Sequence, residues 1–220
     1  MGIEMISKIR RFVIGKAGIS PITVRSTGTE SLAVAQVESD GTDMTRSGRR
    51  FMLGANAAGN GVAPIQAQAT TTTQWAIWNN DLSRSYVFDH LGVLLISGTM
   101  AANSGIIVDT CLFTTPALTG ASTGNMVVTS CSNGGPSSRA IVKSGTVITT
   151  PSAPTWYPTA KSDSNGAWTI MTSMAANYDL RGRIIVPPQQ GLGIVVYTAA
   201  GTSPLFVPFA MWSEIELDLE

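Results

Sequence analysis

From Thr70 onward the chain is a succession of short runs rich in β-branched and aromatic residues, and the first of them sets the fold class. The stretch Thr70-Thr71-Thr72-Thr73-Gln74-Trp75-Ala76-Ile77-Trp78 reads as a strand carrying two tryptophans. A polar turn through Asn79-Asn80-Asp81 follows, then a second strand at 85–88 and an apolar third within Leu91-Gly92-Val93-Leu94-Leu95-Ile96-Ser97. Further candidates recur at 106–114, 125–130, 140–149, 167–174, 182–186, 193–198 and 206–219. Strands at this spacing, separated by Gly, Pro and Asn turn signals, predict an all-β sandwich or barrel. Asn133-Gly134 and Asn165-Gly166 are turn signals, and the second is a hairpin candidate because Asn-Gly tolerates the positive φ of a type I′ turn. At the C-terminus Ile215, Leu217 and Leu219 alternate with Glu214, Glu216, Asp218 and Glu220, which predicts a half-buried strand whose carboxylates face solvent, or else meet the basic N-terminal region of the same or a neighbouring subunit.

The first 69 residues read differently. Ile3, Ile6, Ile9 and Val13 recur at helical spacing, so a short amphipathic helix is expected within residues 1–18. Two short strand candidates follow at 22–26 and 32–37. The run Gly54-Ala55-Asn56-Ala57-Ala58-Gly59-Asn60-Gly61 has too little apolar bulk to hold a core. The expected organisation is an N-terminal arm over 1–69 and a sandwich over 70–220. A chain of this size buries about 70% of its unfolded surface, enough for a core without disulfides or metals.

Charge excludes several functions. The 14 basic and 14 acidic residues cancel, and charged residues make up 13% of the chain against about 25% in an average soluble protein. No basic footprint for nucleic acid results, and the excess of three cations within residues 1–50 is small for phosphate neutralisation. Arg10, Arg11, Arg49 and Arg50, in that segment, are candidate contact residues for a neighbouring subunit. A neutral Ser/Thr/Gly/Ala surface is less costly to desolvate than a charged one, so self-association is expected. No apolar run reaches the length of a membrane span.

Catalytic and metal signatures are thin. Gly120-Ala121-Ser122-Thr123-Gly124 matches the nucleophile-elbow pattern, but it lies in a loop before a strand rather than at a strand-to-helix turn. The chain has one histidine, His90, which cannot make a zinc site by itself. No cofactor is expected, and loop acids such as Asp40, Asp43, Asp163 and Asp179 leave only a loop calcium site open. Cys111 and Cys131 read as buried reduced thiols, with a disulfide between neighbouring strands as the alternative. Trp75, Trp78, Trp168 and Trp212 fall in strands and are expected to pack. Trp156-Tyr157, bracketed by Pro154 and Pro158, is expected to be a fixed aromatic loop and a contact surface, for a subunit or for a sugar.

The order of a Gly-rich loop, a Thr-rich run, Gln74-Trp75-Ala76-Ile77-Trp78-Asn79, a Ser/Arg turn, Tyr86-Val87-Phe88 and Leu91-Gly92-Val93-Leu94-Leu95-Ile96-Ser97-Gly98-Thr99 resembles a group of tailed-bacteriophage virion proteins. The resemblance covers roughly residues 50–115. It implies a jelly-roll-like antiparallel β-sandwich with an extended N-terminal arm. It also implies a non-enzymatic role in the virion, as a capsid decoration or cement protein or as part of a connector or tail. The partners it implies are copies of the chain itself, commonly as a trimer, and other virion proteins such as the major capsid protein. A carbohydrate- or receptor-binding virion module and a major coat protein are the rival readings.

Overall fold

The computed structural model describes residues 40–55, 61–67, 69, 71–100, 105–114, 126–149, 154–163, 175–199 and 201–216. The expected helix within 1–18, the strand candidates at 22–26, 32–37 and 167–174, the Asn165-Gly166 turn, Arg10, Arg11, Ser122 and Trp168 lie outside the described residues.

One short helix, α1 (Asp40–Arg46), precedes ten strands among the described residues. They are β1 (Arg50–Ala55), β2 (Thr72–Trp78), β3 (Ser85–Thr99), β4 (Gly105–Phe113), β5 (Met126–Ser130), β6 (Ile141–Thr149), β7 (Tyr157–Asp163), β8 (Ala175–Val186), β9 (Gly191–Thr198) and β10 (Thr202–Ile215). Two antiparallel sheets result, ordered β5-β1-β10-β3-β8 and β6-β2-β9-β4-β7. The pairings β1 with β10, β2 with β9, β3 with β8 and β4 with β7 are those of one long hairpin. Folding that hairpin over so that successive strand pairs alternate between sheets produces the jelly roll. The β5 and β6 strands are an insertion between β4 and β7 that adds one edge strand to each sheet.

Period-2 alternation selects the core. Trp75 and Ile77 of β2 face Phe51 and Leu53 of β1, Phe88, Leu91, Val93 and Leu95 of β3, and Phe206 and Trp212 of β10 across the sandwich. The Trp212 ring lies 5.5 Å from Phe88, 5.8 Å from Tyr86 and 6.3 Å from Phe51, centroid to centroid. Each such ring removes about 150–250 Å² from water, worth roughly 4–6 kcal/mol at about 25 cal/mol per Å². The tryptophans expected to pack therefore do so at 75, 78 and 212.

The segment between β1 and β2 crosses from one sheet to the other and is pinned to both. Val62 bridges to Phe206 of β10 and Ile65 to Tyr197 of β9. Gln74, buried in β2, donates to the Ala63 carbonyl and accepts from the Val196 N–H, tying the crossing segment to β9 where the β2–β9 ladder ends. Gly134, with φ +72°, makes the turn expected at Asn133-Gly134 after β5.

Several expectations differ from the structure. The sandwich takes in β1 and the bridges at 62 and 65, all N-terminal to residue 70, because Phe51, Leu53 and Val62 bury in the core while the backbone of β1 ladders with β10 and β5. The separate strands expected at 85–88 and 93–97 are one 15-residue strand, β3, which absorbs its register shift between Phe88 and His90. Trp156-Tyr157 is not a fixed loop: Tyr157 opens β7, and Pro158 is tolerated because β7 is an edge strand. Glu214 is not on a solvated acidic face. It is 2% exposed, because Trp212, two residues before it, points into the core and sets the phase of the strand.

Candidate functional site

Asn79 and Asp81 organise one end of the sandwich. Both residues belong to the polar turn that follows β2. The Asn79 side-chain amide donates to the carbonyls of Arg84 at 2.7 Å and Val186 at 3.0 Å, and its oxygen accepts from the Asp81 N–H at 3.0 Å. The Gln189 side chain, from the β8–β9 turn, donates to the Asp81 carbonyl at 3.1 Å. Two connections that cross between the sheets are thereby stitched together. Burial pushes the Asp81 carboxyl up, but the N–H groups of Ser83 and Arg84 and the Ser83 hydroxyl outweigh it and hold the group below the usual range.

At the same end, the start of β1 meets the finish of β10. The Glu214 N–H donates to the Arg49 carbonyl at 2.8 Å, and the Glu214 carboxylate accepts from the Ser138 hydroxyl on the β5–β6 connection. Burial raises Glu214, while Ser138 and the Trp212 indole N–H pull it down. The indole N–H and the Tyr86 hydroxyl face this carboxylate without reaching good hydrogen-bond geometry, so they act through charge and dipole. Desolvation is also the main reason that Tyr86 is held well above the ordinary phenol range.

The candidate contact residues fall in different places. Arg49 is exposed at the turn before β1. Arg50 is committed within the subunit, its guanidinium 3.2 Å from Asp89, where the β3 register shifts on both flanks. Trp156 packs against a small cluster of Trp78, Cys111, Phe113 and Ala76 on the outer face of the β2 sheet, whereas Tyr157 is 60% exposed. The adjacent pair therefore splits into one packing residue and one surface residue rather than forming a two-ring platform.

A shallow cavity of about 310 Å³ opens beside β4, β7 and β9, lined by Gln66, Ile107, Lys161, Tyr197 and Thr198 among others. Neither Trp156 nor Tyr157 lines it. Next to Tyr197, burial raises Asp109, with the Tyr197 hydroxyl opposing the shift. The Tyr197 oxygen also accepts from the Ala69 N–H at 2.9 Å.

Both cysteines are free. Burial pushes the Cys111 thiol up to about 12, with the Gly193 backbone opposing, and also raises Cys131. His90 sits on the outer face of the β1 sheet, opposite Met211 on one side and Asp179 on the other. Among the described residues no group of three or more His, Cys, Asp or Glu side chains is placed to hold a metal ion.

The outer face of the β1 sheet is a surface that strand-by-strand reading does not single out. Met52 is 41% exposed, Leu94 39% and Val127 38%. The registers Met52–Met211–His90 and Val127–Gly54 place these side chains on one face, with Phe209 opposite Gly92. A signal for it exists in the sequence: Leu205-Phe206-Val207-Pro208-Phe209-Ala210-Met211-Trp212 is apolar at both parities, the mark of a strand with two apolar faces.

Comparison with protein-family models, curated proteins and solved structures gives no match.

Proposed function

We propose that this chain is a non-enzymatic structural subunit of a bacteriophage particle, stabilising the capsid or a connector or tail part through contacts between subunits. The observation that carries the reading is the jelly-roll pairing order, an architecture used by viral capsid domains among others. Fold analogy alone does not assign a function, so the surface chemistry has to agree with it. It does: charged residues are 13% of the chain, and the outer face of the β1 sheet exposes Met52, Leu94 and Val127. Its partners are copies of itself and other virion proteins such as the major capsid protein. Residues 1–39, which precede α1, supply the reaching arm in this reading, and arm exchange adds contact area without a larger core.

The experiment is quantitation of the protein in purified particles, with and without residues 1–18. Incorporation is expected to fall on deletion while the sandwich keeps its β circular-dichroism spectrum. Absence of the intact protein from purified particles refutes the reading, and unchanged incorporation of the deleted form refutes the arm. Copy number per particle separates a decoration protein from a major coat protein.

The rival, a glycan-binding virion module, is supported by the cavity beside Tyr197 and Lys161 rather than by the Trp156-Tyr157 pair. Glycan-array binding that disappears with Lys161→Ala would favour it.

A further inference from the structure

We propose that the outer face of the β1 sheet is the site at which a second copy of this chain docks, face to face across a two-fold axis. The inference rests on the structural-subunit reading and specifies which surface performs the association.

Self-complementary relief is the first argument. Phe209 lies at the centre of the face, with Gly92 opposite it on β3 and Gly54 on β1 at the same level. A side chain built at Gly54 would meet nothing within 4 Å, so bare strand surface lies open there. Met52, Leu94 and Val127 stand up around this trough, each at least 38% exposed. A knob beside a hole on one face becomes a hole beside a knob on its two-fold mate, so one surface serves both partners.

Charge supplies the second argument. The ionic groups at the margin are already matched within the subunit, Arg50 with Asp89 at 3.2 Å and Arg181 with Asp179 at 2.8 Å. The face therefore asks for a neutral partner. A basic or acidic protein would bring unmatched charge against apolar side chains, whereas a second identical face brings His90, which has Asp179 opposite it on the neighbouring strand, and the internally paired Arg50 and Arg181.

The area is also sufficient. Five strands at about 4.8 Å spacing span roughly 24 Å, and strand lengths run from about 17 Å along β5 to about 50 Å along β3, giving on the order of 800 Å². A standard interface takes about that much from each partner. The other sheet differs in layout: its outward Trp78, Cys111 and Phe113 are buried in their own cluster with Trp156 packed against it, which leaves Ile107 and Ile141 exposed on either side of that cluster.

The test is the mass of the full chain by sedimentation equilibrium over a wide concentration range, for the natural sequence and for Met52→Lys, Leu94→Lys and Tyr157→Lys. Met52 and Leu94 lie on different strands and are exposed, so a lysine at either leaves the core intact; circular dichroism checks this. The expected result is a dimer for the natural chain and for Tyr157→Lys, with at least a tenfold weaker dimer for Met52→Lys and for Leu94→Lys. A monomer at every concentration, a trimer, or dissociation only with Tyr157→Lys overturns the inference. Its failure is distinguishable from that of the parent reading. A chain found in purified particles whose mass ignores Met52→Lys and Leu94→Lys retires the interface alone. A dimer that uses this face but is absent from particles retires the virion role alone.

Discussion

Replacing Trp212 with alanine tests whether the three rings around it tie the end of the β1 sheet together. Trp212 is wholly buried and touches Phe51 of β1, Tyr86 and Phe88 of β3. Truncating a buried tryptophan removes its transfer free energy and leaves a cavity that strands on both sides cannot close, a loss of about 3–5 kcal/mol. The three ring contacts are part of that loss and are not added to it. With a urea slope of about 2–3 kcal/mol/M, the midpoint should fall by roughly 1–2.5 M without a change of slope. Trp212→Phe keeps one six-membered ring in the cluster and should cost only about 1–2 kcal/mol. Unfolding is followed by far-ultraviolet circular dichroism at one fixed protein concentration, since association shifts apparent stability by mass action. A midpoint shift below about 0.3 M for Trp212→Ala, at unchanged slope, contradicts the assignment of this ring cluster to the core.

The remaining expectations concern titrating and glycine positions. Glu214, raised by burial, favours its protonated form in the fold. Its contribution to stability is full below the ordinary carboxylate range and declines as pH rises through the folded value. Glu214→Gln should therefore flatten the fall in melting temperature between pH 4.5 and 7, and identical slopes for the two proteins would contradict this. Asp81 has the opposite sign: its lowered carboxyl stabilises above the usual range and loses that contribution as pH falls through the folded value. Asp81→Ala should cost about 1–3 kcal/mol at pH 7 and much less at pH 2, read from urea midpoints. In the native protein at pH 8 a thiol reagent should label Cys131 well before Cys111, and equal rates would contradict the burial difference between them. A methyl at Gly193 would sit 2.6 Å from Thr73 Cγ2 and 2.7 Å from Cys111 Sγ, so Gly193→Ala should destabilise by about 1–3 kcal/mol.

Local pattern was enough to place most strands because their signals are local. Trp75 and Ile77 alternate with Ala76 and Trp78, and the polar run at Asn79–Asp81 ends the strand where the sequence says it ends. The first strand is different. Arg50–Ala55 ends in glycine and alanine and gains its stability from β10 and β5, partners more than 150 and 70 residues away in the chain. Nothing local announces such a strand. Pro158 misled for a related reason, since proline breaks a central strand and only the topology reveals that β7 lies at an edge. Glu214 is the most instructive case. Alternation at the C-terminus separates two faces but does not say which is inside. Trp212 holds the missing information, because a tryptophan buried two residues earlier carries Glu214 inward with it.

The same parity argument bears on the surface assigned to self-association. An antiparallel strand with one wet face alternates apolar and polar residues, as β5 does in Met126-Val127-Val128-Thr129-Ser130 only in part, and β10 hardly at all between 205 and 212. Phe206, Ala210 and Trp212 account for the inner parity of β10 and lie in the core. Of the other parity, Val207 is buried within the subunit, Phe209 and Met211 are half-buried outside that core, and Leu94 and Met52 beside them are exposed. Scattered exposed apolar residues are ordinary, but a contiguous set on one rigid sheet marks a contact surface. Half-buried and exposed apolar residues outside the subunit's own core, arranged in register on one sheet face, are most simply explained by a partner that buries them. Polar replacement at Met52 or Leu94 should therefore leave the unfolding free energy of a dilute, dissociated sample within about 0.5 kcal/mol of the natural chain while weakening association. A loss of several kcal/mol in that dilute sample would place these side chains in the subunit's own stability and remove them from the interface.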